Sequence, residues 1–135
     1  MPEGGCLCGK VRVSYEGEPV AKALCHCIDC RKITGSTYST NVIVPGEGFK
    51  LLSGSPKTFT KTGDTGNDIT SHFCGDCGST LFRTGPSFGT TKVVKAGILD
   101  DPKGLDGAKP GAELFVDSRV NWVPQVPGTV QKTAM

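Results

Sequence analysis

Seven cysteines carry most of the chemistry available to this sequence, and they fall into three compact groups: Cys6-Leu7-Cys8, Cys25-His26-Cys27-Ile28-Asp29-Cys30 and Cys74-Gly75-Asp76-Cys77. Clustered thiolates are soft ligands that suit zinc. A disulfide framework fits poorly, because the count is odd and nothing marks the chain as secreted. Cys74-x-x-Cys77 followed by Gly78-Ser79 has the form of a zinc knuckle, in which a glycine at positive φ lets the backbone curl under a metal with its amides facing the sulfurs. A redox pair would be expected in a βαβ setting, and no such pattern surrounds it.

Cys6-x-Cys8 and Cys25-x-Cys27 suit strands, where residues i and i+2 share a face. The middle group adds Cys30 and so offers three ligands by itself. The simplest division makes Cys6, Cys8, Cys74 and Cys77 a closed four-thiolate site and leaves Cys25, Cys27 and Cys30 as a three-thiolate site. Structural zinc is usually saturated by four protein ligands whereas catalytic zinc keeps a position free, so this division predicts one site for architecture and one for catalysis. The bland alternative is a histidine in the fourth position. His72 precedes Cys74 at i, i+2 spacing, while His26 lies between two ligands and should point to the opposite face of its strand.

Three thiolates on a divalent zinc leave a formal charge of −1 and a weak Lewis acid. Such a site suits holding a further thiolate deprotonated better than activating water. Arg31 and Lys32, beside Cys30, could meet carboxylates on a bound ligand, and the turn Thr34-Gly35-Ser36 could offer amides and a hydroxyl to an anion. Each has a plainer reading: the basic pair as solvated surface offsetting the thiolates, and Gly35 as a helix stop. Trp122 reads as core before pocket wall, and Arg119 as an ion-pair partner before a ligand contact.

The elements that must position these groups read mainly as strands. Apolar and polar residues alternate at 11–15, 49–52, 58–61 and 80–83, predicting half-buried strands, and β-branched runs at 38–44 and 92–98 predict more deeply buried ones. Turn signals fall at 17–19, 53–56 and 63–68, and an antiparallel all-β domain follows. One helical turn is expected over 29–34, with Asp29 as its cap and Gly35 as its left-handed stop. Residues 103–112 read as loop. A single domain over 1–127 and a short tail over 128–135, too poor in apolar residues to require packing, complete the organisation.

Nineteen glycines and nine prolines suit turns and short strands, and a chain this lean in apolar residues gains from metal cross-links. The N-terminal residues lack the basic stretch and apolar run of a secretory signal, and no segment approaches the roughly 18 apolar residues of a membrane span. A cytoplasmic protein without membrane association is expected. Fifteen basic and thirteen acidic residues are too balanced and scattered for a nucleic-acid footprint. Seven thiolate charges against four from two zinc ions would turn the formal +2 into −1. Nothing in the pattern specifies an oligomeric state.

Four motifs together resemble the glutathione-dependent formaldehyde-activating enzyme family, which includes the centromere protein V group: residues 4–12 around Cys6 and Cys8, 25–32, 34–36, and 73–79. The likeness continues through 97–101 and 113–116 to Arg119 and Trp122. The resemblance implies a tent-like antiparallel β fold held by zinc, with the first and last cysteine pairs structural and Cys25, Cys27 and Cys30 at the active site. It also implies a carbon-sulfur lyase that joins formaldehyde to the thiol of glutathione, with two zinc ions per chain and a small thiol or thiol adduct as partner. The chain is shorter than that family's best-characterised enzymes. The competing expectations are a non-catalytic zinc module that binds another protein and a thiol or zinc redox sensor.

Overall fold

Where the chain alternates between branched apolar and small polar residues it forms strands, and the pattern repeats often enough to give two sheets. The computed structural model describes residues 1–63 and 66–135. Among these residues the strands are β1 (Glu3–Gly5), β2 (Arg12–Tyr15), β3 (Ala21–Cys25), β4 (Ser39–Val44), β5 (Phe49–Ser53), β6 (Lys57–Thr62), β7 (Asp68–Phe73), β8 (Thr80–Thr84), β9 (Lys92–Lys95), β10 (Ala112–Leu114) and β11 (Val130–Gln131). One α-helix, α1 (Ile28–Thr34), joins β3 to β4. Of the turn expected at 63–68, residues 64 and 65 lie outside the described residues. No helix among the described residues is long and apolar enough to cross a membrane.

β1, β2 and β5 make a three-stranded sheet, and the other eight run in the order β11-β10-β3-β4-β9-β8-β7-β6. The expectation of a wholly antiparallel fold needs correction at one end, because β10 lies parallel to both β3 and β11. Residues 115–129 supply the long crossover that a parallel neighbour requires.

Register assigns the two faces of the large sheet. Val42 pairs with Val94, Val94 with Phe82 and Phe82 with His72, so these four share one face. The first three pack with Val13 and Tyr15 of the small sheet into the hydrophobic core. A bulge in the β7–β8 pairing leaves Leu81 as an extra residue, which lets Leu81 and Phe82 both enter that core. The opposite face carries Ala23, Asn41 and Lys95 in one row and Ile43, Val93, Arg83 and Ser71 in the next.

Several expectations are corrected. The 92–98 run stops as a strand at Lys95 and continues as a 3-10 turn over Ala96–Ile98. The 58–61 segment lies in β6, which is exposed throughout rather than half-buried, because it is the sheet's outermost strand; its lysines suit an edge. Within the 103–112 loop, Ala108 is buried in the core. The 128–135 segment is no loose tail. β11 pairs with β10, Thr129 is buried, and polar bonds rather than apolar contacts hold the segment down.

Candidate metal centre

Two facing turns build the four-cysteine group. Cys6 and Cys8 lie in a tight turn between β1 and β2, not on a strand, because Gly9 at φ 81° reverses the chain and its N–H donates to the Cys6 carbonyl at 3.0 Å. Opposite, Gly78 at φ 80° donates to the Cys74 carbonyl at 2.8 Å, as the knuckle motif requires. The Leu7 N–H donates to Ser79 Oγ at 3.0 Å and ties the turns together. The four sulfurs lie within 4.8 Å of one another. Cys6 and Cys8 are 3.6 Å apart, and Cys8 and Cys74 3.7 Å. A tetrahedral zinc with bonds of about 2.3 Å has sulfur–sulfur edges of about 3.8 Å, so this donor set fits the ion. The Val11 N–H already points at Cys6 Sγ at 3.3 Å. The Ser79 hydroxyl and backbone hold the Cys77 thiol down at about 5, which favours the thiolate that a metal needs.

The other three cysteines come from successive elements. Cys25 ends β3, Cys27 caps α1, and Cys30 sits in the first turn of that helix. The cap is therefore Cys27 rather than Asp29: the Cys30 N–H donates to Cys27 Sγ at 3.3 Å, while Asp29 pairs with Lys61 at 2.6 Å. Gly35 closes the helix at φ 63°, as expected. The three sulfurs lie within 4.8 Å of one another, close enough to share one zinc. Neither histidine joins them. His26 turns away to Glu113, with Nε2 2.8 Å from Oε1, and His72 stacks on Phe82 and bonds Thr84 Oγ1 at 2.9 Å.

The bonds among the trio pull its thiols in opposite directions. Hydrogen bonds from Cys25 and Cys27, supported by the Lys95 charge and the Ser39 hydroxyl, hold the Cys30 thiol far below its ordinary range. Cys25 is pushed far up by its bonds to Cys27 and Cys30 and by burial.

These sulfurs open onto a cavity of about 360 Å³. Its floor is the non-core face of the large sheet, including Asn41, Arg83, Val93 and Lys95, while Ile28, Phe88 and Phe115 contribute apolar walls. Lys95 is only 7% exposed, and its Nζ donates to Asn41 Oδ1 at 2.8 Å. Burial lowers the pKa of Lys95, and the sulfurs of Cys30, Cys25 and Cys27 pull against that effect. Asn41 Nδ2 in turn donates to Ser39 Oγ at 2.9 Å, and Ser39 reaches Cys30, so a polar chain runs from the buried ammonium to the sulfur. A larger, more open groove of about 860 Å³ lies elsewhere, beside Tyr15, Glu16 and Asp101, and contains no cysteine.

Arg31, Lys32, Gly35 and Ser36 lie along α1 and its C-terminus, outside the cavity lining. Arg31 and Lys32 occupy the last helical turn, where cations suit the carbonyl end of the dipole. Trp122 is exposed and belongs neither to the core nor to the cavity. Arg119 pairs with Glu113 at 3.3 Å. The cations that face the site, Lys95 and Arg83, were missed because a charged residue alternating with apolar ones reads as solvent-facing. Their signal was their place at the ends of the apolar runs Val93-Val94 and Leu81-Phe82.

Residues 1–118, which contain every cysteine, match the family described as glutathione-dependent formaldehyde-activating enzyme. The chain belongs to that family. A crystal structure of a Rhodobacter sphaeroides protein is similar with a TM-score of 0.61 and 20% identity, covering 76% of this chain and 94% of that one, which is a likeness of fold. No curated protein matches the sequence. The region matching the glutathione-dependent formaldehyde-activating family includes Arg83, Lys95 and Glu113, and it ends before the segment that forms β11.

Proposed function

We propose that this protein is a zinc-dependent carbon-sulfur lyase acting on an adduct between a small thiol, such as glutathione, and an aldehyde. The observation that carries this reading is the unequal pair of sulfur clusters: four sulfurs complete one group, whereas three open onto a cavity with buried cations and no fourth protein ligand among the described residues. Cys6, Cys8, Cys74 and Cys77 would hold one zinc for the fold, and Cys25, Cys27 and Cys30 a second for the reaction. When bound there, zinc supplies the positive charge that keeps a substrate sulfur deprotonated near neutral pH.

The chain's own groups do the rest. Cys30, on α1, and Cys25, on β3, fix the sulfur pole of the cavity, and Lys95 offsets its negative charge. The apolar walls exclude water from the reacting carbon. In the synthetic direction the thiol sulfur bonds to the aldehyde carbon, the carbonyl π bond breaks, and the thiol proton ends on the new hydroxyl oxygen. The reverse breaks that carbon–sulfur bond and returns the proton. Holding both partners in one cavity contributes through proximity. A non-catalytic zinc module would need no such cavity.

Metal analysis and exchange spectroscopy of glutathione with a panel of aldehydes test the reading. Wild type should carry two zinc ions and accelerate adduct exchange. Cys30→Ser should lose one ion and the acceleration while staying folded, whereas Cys77→Ser should unfold. Full activity in Cys30→Ser would overturn the assignment.

A further inference from the structure

Arg83 is a buried guanidinium with no counter-ion among the described residues. It is 6% exposed, its Nε donates only to the neutral Ser71 Oγ at 3.1 Å, and no carboxylate among the described residues lies within ion-pair distance of it. It lines the same cavity as the cysteine trio. Burying an unpaired charge is expensive, and proteins accept that cost where something else completes the pair. The sulfur pole does not complete it. The Lys95 charge acts at Cys30, whereas Arg83 lies in the register row of Ala21, four residues along β3 from Cys25. Asp29 and Lys61 cancel one another. Arg83 and Lys95 repel each other across adjacent strands. Met135 reaches the cavity lining without pairing with either cation.

We infer that Arg83 is a specificity-determining residue that binds a carboxylate on the substrate, so the preferred thiol or adduct is a small acid with an apolar body. The inference rests on the proposed thiol chemistry for the position of the sulfur. Arg83 stands on β8 in the register row of Ala21, and Cys25 lies three inter-strand steps across and four residues along β3 from it, so the two backbones are separated by about 19 Å. Side chains extend inward from both ends of that gap, and Ile43 and Val93 lie on the floor between the two poles. A planar guanidinium matches a carboxylate in bidentate fashion.

Calorimetry on the zinc-loaded protein with mercaptoacetate, 3-mercaptopropionate and 4-mercaptobutyrate, each against its amide, tests the inference. At least one acid should bind about tenfold or more tightly than its amide, as expected for a hydrogen-bonded charge pair. In Arg83→Met that preference should vanish while amide binding is retained, and Arg83→Lys should keep part of it. Thiols that bind with no preference for the acid would overturn the carboxylate site and leave the thiol reading standing. Acids that bind equally well without their thiol group would support the Arg83 site and sink the thiol reading. No binding by any member would overturn both.

Discussion

Replacing Glu113 by glutamine probes how the C-terminal segment is tied to the loop that carries Cys25 and Cys27. The Glu113 side chain is fully buried and its two oxygens collect five donors. His26 Nε2 at 2.8 Å and Arg119 at 3.3 Å reach Oε1. The Val126 N–H at 2.9 Å, Gln131 Nε2 at 3.0 Å and Thr129 Oγ1 at 3.1 Å reach Oε2. A glutamine must present an amide NH₂ to one of these sets, so at least two donors lose their acceptor whichever way it turns. Each unmade buried bond costs about 1 to 3 kcal/mol, and removing one partner of a buried charge pair about 3 to 5. A loss of about 3 to 5 kcal/mol at pH 7 is expected, a large share of the roughly 5 to 15 kcal/mol that holds a typical domain together.

Urea unfolding of the zinc-loaded proteins at matched pH measures that loss. Burial alone would raise the Glu113 pKa, but donors from His26, Gln131, Val126 and Thr129 outweigh it and hold it down at about 2. A depressed carboxyl stabilises the fold fully above its unfolded value of about 4.3, and that stabilisation disappears as the pH falls toward 2. The gap between wild type and Glu113→Gln should therefore stay constant from pH 7 to about 5 and shrink below that. A gap under about 0.5 kcal/mol at pH 7 would refute the reasoning, as would one that widens on acidification.

Removing residues 128–135 deletes β11 and the bonds from Thr129 and Gln131 to Glu113, and should cost about 2 to 3 kcal/mol in urea unfolding. An unchanged midpoint would mean that the segment is only draped on the sheet. A Cβ at Gly4 would overlap the Ile98 carbonyl oxygen where β1 bridges to Leu99, so Gly4→Ala should destabilise by about 1 to 3 kcal/mol. Thermal unfolding checks this, and a wild-type Tm would show that the bridge yields freely.

The strands at 12–15, 39–44 and 80–84 were legible because alternation and β-branching act through each residue's immediate neighbours. β3 and β10 were not. Ala21 to Cys25 and Ala112 to Leu114 carry no strong local preference and become strands only by pairing with one another and with β4. The cap of α1 was misplaced for a related reason: Asp29 is the usual capping type, but the geometry of the trio gives that position to Cys27 and leaves Asp29 to pair with Lys61.

Which cysteines form each near group was readable from spacing alone, since a glycine-closed turn or a helix start brings near neighbours to one point. The pairing of Cys6 and Cys8 with Cys74 and Cys77 followed only from counting ligands, and the fold brings Cys8 and Cys74 together across 66 residues. The tertiary structure decided what faces them. His26 meets a carboxylate 87 residues away, and Lys95 and Arg83 face a covered cavity instead of water because α1 and the loops bearing Phe88 and Phe115 cover the sheet's second face. Alternation can say that two side chains point in opposite directions, but it cannot say which of those directions another part of the chain will cover.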